Sequence, residues 1–117
     1  MSEKDFIALA KSVSKGAAAL RKADPDLMQA FSGVGKAVYP DGVLDNKTKE
    51  LIALAIGITV RCDGCVAHHA MACLDKGASR EEVVEAIGVA IHMGGGPSMV
   101  YGAEALEAYD QHVKNRL

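Results

Sequence analysis

The chain has 117 residues, enough for one domain and too few for two of ordinary size. Half of its residues are apolar but only 4% are aromatic, so Ala, Val, Ile, Leu and Met must fill the core. A net charge of −2, with 24% charged residues, supplies neither a basic field for nucleic acid nor a polybasic membrane patch, and it excludes those partners.

No alternation of apolar and polar residues is sustained as a strand would require, whereas helical spacing recurs. Phe6, Leu9, Ala10, Val13, Ala17 and Leu20 predict a helix from about Lys4 to Lys22. Asp24-Pro25 reads as an N-cap followed by proline at the first helical position. The second helix carries Leu27, Met28, Phe31, Val34 and Val38, and Tyr39-Pro40-Asp41-Gly42 is a turn. Asp45 caps a third helix running to about Val60. Arg61-Cys62-Asp63-Gly64 interrupts it, and a fourth helix runs from about Asp63 to Lys76, stopped by Gly77. Ser79 and Glu82 have capping-box spacing ahead of a fifth helix with Val83, Val84, Ile87, Ala90 and Ile91. Gly94-Gly95-Gly96-Pro97 breaks that helix, and a sixth covers about Ser98 to Asn115. The glycines lack the preceding strand and the spacing of a nucleotide loop. The expected fold class is all-α, a single-domain bundle of about six helices over residues 1–117. Residues 1–25, with a weak apolar stripe, are expected to be peripheral.

Leu51 to Val60 carries no charged residue on any face, and Ile87 to Met93 is similar apart from His92. Helices apolar all round are buried all round, and a chain of this size has little interior to offer. Association with further copies of the chain is therefore expected. The polar start Met1-Ser2-Glu3-Lys4-Asp5-Phe6 does not open a secretory signal, and Leu51–Val60 is too short to span a bilayer. A cytoplasmic location follows as an expectation. Three cysteines at uneven spacing do not form a secreted disulfide framework. A close pair in a reducing compartment points to redox chemistry or metal binding.

The chemistry concentrates in Cys62, Cys65 and His69. Steps of three and four residues stay on one helical face, so two sulfurs and an imidazole form one cluster. A C-x-x-C pair at a helix start closes a disulfide with little backbone movement, and the positive helix end favours thiolate. A free thiol has a pKa of about 8.5, so some device must produce thiolate at neutral pH. His69 can take or relay the proton of Cys65, and Arg61 adds a positive charge that Asp63 opposes. A thiolate that attacks a peroxide O–O bond becomes a sulfenic acid, and a second thiol condenses with it. Spacing alone leaves other readings open. Zinc would need a fourth ligand from Glu50, His68 or Cys73, and the usual second ligand pair is missing. Two merely packed cysteines fit poorly with a polar, glycine-containing linker.

These residues also carry a resemblance. Glu50, then Cys62 twelve positions on, Cys65, and His69 four beyond it reproduce the signature of the carboxymuconolactone decarboxylase and AhpD-like alkylhydroperoxidase family. Lys49–Leu54, Cys65–His69, Lys76–Ala86 and Gly94–Pro97 are similar to the family as well, and the likeness covers roughly residues 26–112. Carboxymuconolactone decarboxylases proper lack the cysteine pair, so the likeness favours the redox branch. It implies an all-helical fold, trimers or hexamers, and reduction of hydroperoxides or of a partner peroxiredoxin's cysteine. No cofactor or resident metal is expected. The likeness gives Cys65 the oxidised role, makes Cys62 the resolving thiol, and makes Glu50 and His69 a proton relay. An external dithiol or protein reductant would regenerate the pair. AhpD carries a histidine directly before the second cysteine, where this chain has Gly64. Two alternatives remain on the same residues: a cofactor-free decarboxylase-type enzyme, and a non-enzymatic zinc or redox-sensing module.

His68 points about 100° away from His69 on a helix and is read as packed or at a subunit contact. Cys73 is read as a core residue and His92 as a core or interface histidine, with lining of the pocket as its alternative. Tyr39, Tyr101 and Tyr109 are read as packing residues whose hydroxyls find partners.

Overall fold

Six helices account for the fold of residues 4–117, the part described by the computed structural model. They are α1 (Phe6–Ala23), α2 (Pro25–Val38), α3 (Asn46–Thr59), α4 (Asp63–Asp75), α5 (Arg80–Gly94) and α6 (Gly96–Asn115). The all-α expectation holds, and α1 to α5 each begin at a residue whose side chain caps the helix. Asp5 accepts from the Ala8 N–H at 3.0 Å, Asp24 from Leu27 at 3.2 Å and Asp45 from Thr48 at 2.7 Å. Ser79 and Glu82 form the reciprocal capping box of α5. α6 starts at Gly96 rather than at Ser98, because Pro97 fits a first turn whose N–H has no intrahelical partner anyway. Gly95, at φ 73°, turns the chain between α5 and α6 in a region where a side chain would be strained.

α3 and α4 end alike, each with a left-handed residue after the helix and an N–H that reaches back five positions. After α4 the left-handed residue is Gly77 (φ 85°), and the Ala78 N–H donates to Cys73 O at 2.9 Å. After α3 it is Arg61 (φ 58°), and the Cys62 N–H donates to Gly57 O at 3.0 Å. A non-glycine pays roughly 1–2 kcal/mol for that conformation. The strain sits directly before Cys62, which the turn delivers as the N-cap of α4.

α3, α4, α5 and α6 pack on one another around Leu54, Ile58, Val66, Val83 and Ile87. Small residues on α4 and α6 (Ala67, Ala70, Ala105, Ala108) bring those two helices close. α1 lies across α4 and α6. Its first turns are not peripheral: Phe6 is 1% exposed and Ala10 is buried. Beyond Ala10 the helix is almost wholly exposed, as its weak stripe implies. The outlying element is α2, which buries no residue and packs mainly on α1. It raises the radius of gyration to 14.3 Å, against about 13 Å for a compact chain of this length. Leu27, Phe31, Val34 and Val38 of α2, Ile52 and Ile56 of α3, Val60 just after it, and Val89 and Met93 of α5 all stand exposed. α1 and α2 therefore do not cover the apolar faces of the inner helices. No helix among the described residues is long and apolar enough to cross a membrane.

Candidate active site

The short turn after α3 sends α4 back along it, and the two helices touch through one face of each. Glu50 and Gly57 are seven residues apart on α3, two helical turns, and so lie on a common face. Cys65 and His69 are four apart on α4. Glu50 meets His69, and Gly57 meets Cys65. A Cβ at Gly57 would lie 3.1 Å from the Cys65 Cβ, so glycine is what allows α4 to come this near. The four residues singled out in the sequence thus lie along one helix–helix seam, as two pairs.

The first pair is a disulfide between Cys62 and Cys65, with Cα atoms 5.2 Å apart. Cys62 is the N-cap of α4, and its Sγ accepts from the Cys65 N–H at 3.2 Å. When the bond is reduced, that N–H and the positive helix end favour thiolate at Cys62. Asp63, in the first turn, acts the other way. Its carboxylate is held by Lys4 Nζ at 3.1 Å, and Lys4 also pairs with Glu104 and lies over the Tyr101 ring. That contact binds the start of the chain to the start of α4. The position between the cysteines is glycine for a reason visible in the packing. A Cβ at Gly64 would fall 2.8 Å from Val13 Cγ2 of α1. The space beside Gly64 is occupied by α1.

The second pair is Glu50 and His69, with Oε1 2.8 Å from Nδ1. Glu50 is only 7% exposed, a burial that a carboxylate tolerates only with a partner. A carboxylate can only accept, so His69 Nδ1 carries the proton and Nε2 of the neutral ring is left as the base. Tyr39 was not singled out for this site by spacing, yet its ring stacks on His69 at 6.2 Å. It arrives at the end of α2, eleven residues before Glu50, and no local motif marks it. Burial, and then the Glu50 charge, raise the pKa of its phenol and keep it protonated.

The neighbours sort differently. His68 stands exposed, edge-on to His69 at 5.0 Å between ring centroids. Partial desolvation of its ring, and then the charge of His69, lower its pKa. Cys73 is fully buried, and desolvation, followed by the Glu50 charge, pushes its thiol up to about 12, so it is inert at neutral pH. His92 is exposed rather than in the core of the chain. Tyr109 donates to Ala78 O at 2.7 Å, whereas Tyr101 offers Lys4 its ring face. Among the described residues no three His, Cys, Asp or Glu side chains are grouped as metal ligands would be.

This sequence and fold have counterparts among known proteins. An uncharacterized protein of Cupriavidus necator is 44% identical over 92 residues, covering 79% of this chain and 81% of the relative. Uncharacterized protein 4 in the cox locus of Paracoccus denitrificans is 35% identical over 103 residues, covering 86% and 93%. Among solved structures, a carboxymuconolactone decarboxylase family protein of Legionella pneumophila superposes with a TM-score of 0.89 at 44% identity, covering 92% of this chain and 96% of that one. A Thermotoga maritima protein of the same family superposes at 0.77 with 29% identity, covering 95% and 92%. Residues 25–108, from the first residue of α2 to the last turns of α6, match the sequence profile of that family, and the chain belongs to the carboxymuconolactone decarboxylase family.

Proposed function

We propose that the protein is a thiol-dependent peroxidase and disulfide reductase of the alkylhydroperoxidase type. The observation that carries this reading is the Cys62–Cys65 disulfide at the start of α4, on the same helical seam as the buried Glu50–His69 pair. In the reduced protein the Cys65 thiolate attacks the O–O bond of a hydroperoxide. Cys65 becomes a sulfenic acid, and the alkoxide leaves as an alcohol with a proton from the relay. Cys62, favoured as thiolate by its cap position, attacks the sulfenic sulfur. The disulfide forms, and hydroxide leaves as water after protonation. His69 accepts and returns protons through Nε2, and Glu50 stabilises the imidazolium between those steps. An external dithiol or a protein reductant restores the pair by exchange. The Thermotoga maritima relative is described as a candidate for involvement in an antioxidative response, which fits this chemistry. Replacing Cys65 with Ser is expected to abolish dithiol-dependent peroxide consumption, and undiminished turnover in that variant would overturn the reading.

The family also includes decarboxylases, and the match to its profile supports a second reading as a cofactor-free enzyme of that kind. Activity on a lactone acid that survives alkylation of both cysteines would favour it. The exposed apolar residues of α2, α3 and α5 support association of several copies of the chain. Sedimentation of a monomer at micromolar concentration would remove that element.

A further inference from the structure

We propose that Tyr39 is a positioning residue for the Glu50–His69 pair, covering it against water and fixing the plane of the imidazole. This rests on the thiol reading above and deepens it. The Tyr39 and His69 rings are 6.2 Å apart with 29° between their planes, an offset stack. His69 is held from α3 by Glu50 and edge-on from its own helix by His68, so Tyr39 closes a third side. The Glu50 charge is felt at the Tyr39 phenol, in keeping with a ring that stacks on the histidine Glu50 holds.

Tyr39 is held there by the helix that carries Glu50. Asn46 Nδ2 donates to Tyr39 O at 2.7 Å, and Lys49 Nζ donates to Val38 O at 2.8 Å and Pro40 O at 2.7 Å. The Asn46 N–H donates to Asp41 Oδ1 at 2.6 Å. Three carbonyls and a carboxylate of one short turn are thus gripped by the first turn of α3. The Asn46 side chain makes this bond while its own Oδ1 lies buried with no hydrogen-bond partner. Leaving a buried acceptor unsatisfied is costly, and the hold on Tyr39 is what that amide accomplishes.

The test is solvent exchange of the His69 Nδ1 proton, followed by NMR in the wild type and in Tyr39→Phe, Tyr39→Ala and Asn46→Ala. Tyr39→Phe keeps the ring and should match the wild type. Tyr39→Ala should exchange about tenfold faster, the protection expected of one aromatic contact. Asn46→Ala should move the same way, although Asn46 does not bond to His69 or Glu50. Peroxide-driven disulfide formation should slow in the same order. If Tyr39→Ala does not fold, Tyr39→Leu supplies the comparison. A folded Tyr39→Ala or Tyr39→Leu protein whose His69 proton exchanges at the wild-type rate overturns the proposal, whether or not peroxide is consumed. A wild type that ignores peroxide overturns the thiol reading, and the exchange comparison still decides the role of Tyr39.

Discussion

Replacing Gly57 with Ala places a methyl group 3.1 Å from the Cys65 Cβ and 3.7 Å from both Cys65 C and Val66 N. Ordinary carbon contacts lie at about 3.5–4.0 Å, so the start of α4 must retreat by several tenths of an ångström. No rotamer change relieves this, because the opposing atoms are a Cβ and backbone. Overpacking of this kind costs about 1–3 kcal/mol, while alanine in place of a helical glycine returns up to about 1 kcal/mol. Gly16 separates the two effects, since it is helical, exposed and has open space where a Cβ would go. Gly16→Ala should stabilise by about 0.5–1 kcal/mol. Gly57→Ala should fall below it by about 1–3 kcal/mol in urea unfolding. The same displacement moves Cys65 relative to Glu50 and His69, so peroxide-driven disulfide formation should slow as well. If Gly57→Ala gains as much stability as Gly16→Ala and its cysteines react at the wild-type rate, the seam is not the close contact described.

Glu50→Gln keeps the volume and an acceptor for the His69 Nδ1–H but removes the charge. Stopped-flow measurement of disulfide formation should show a loss of about 10²–10⁴-fold with the fold intact, and an unchanged rate would deny Glu50 a place in the relay. Cys73 should resist iodoacetamide at neutral pH while the reduced Cys62 and Cys65 are labelled, as read by peptide mass spectrometry. Its folded pKa of about 12 exceeds the ordinary 9.0, so the unfolded chain gives up that proton first. Stability is therefore complete below pH 9 and is lost as pH rises towards 12, and Cys73→Ala should flatten that decline in alkaline melts. The His112 ring is buried, which lowers its pKa from 6.5 against the opposing effect of the Ala67 carbonyl that it bonds at 3.0 Å. Below pH 6.5 the unfolded chain binds the extra proton more readily, so stability falls with pH. His112→Gln keeps a donor to Ala67 O and should weaken that dependence in thermal melts on the acid side. His68, lowered in the same direction, supplies the part that remains.

The all-helical fold, its six elements and most of their ends were legible in the sequence because capping is local chemistry. Asp24, Asp45 and Ser79 each bond an N–H three residues on, and nothing distant is needed to bring donor and acceptor together. The Cys62–Cys65 contact is local for the same reason. The pairing of Glu50 with His69 was expected only through the resemblance, since nineteen residues and a turn separate them. Tertiary structure decided the rest. Two helices had to pack through Gly57 for the Glu50–His69 and Cys62–Cys65 pairs to lie on one seam. Val13 had to fill the space beside Gly64 before that glycine made sense, and Tyr39 reached His69 only because Asn46 and Lys49 hold its turn. Contacts of this kind join residues that are remote along the chain, and no periodicity or spacing in the sequence encodes them.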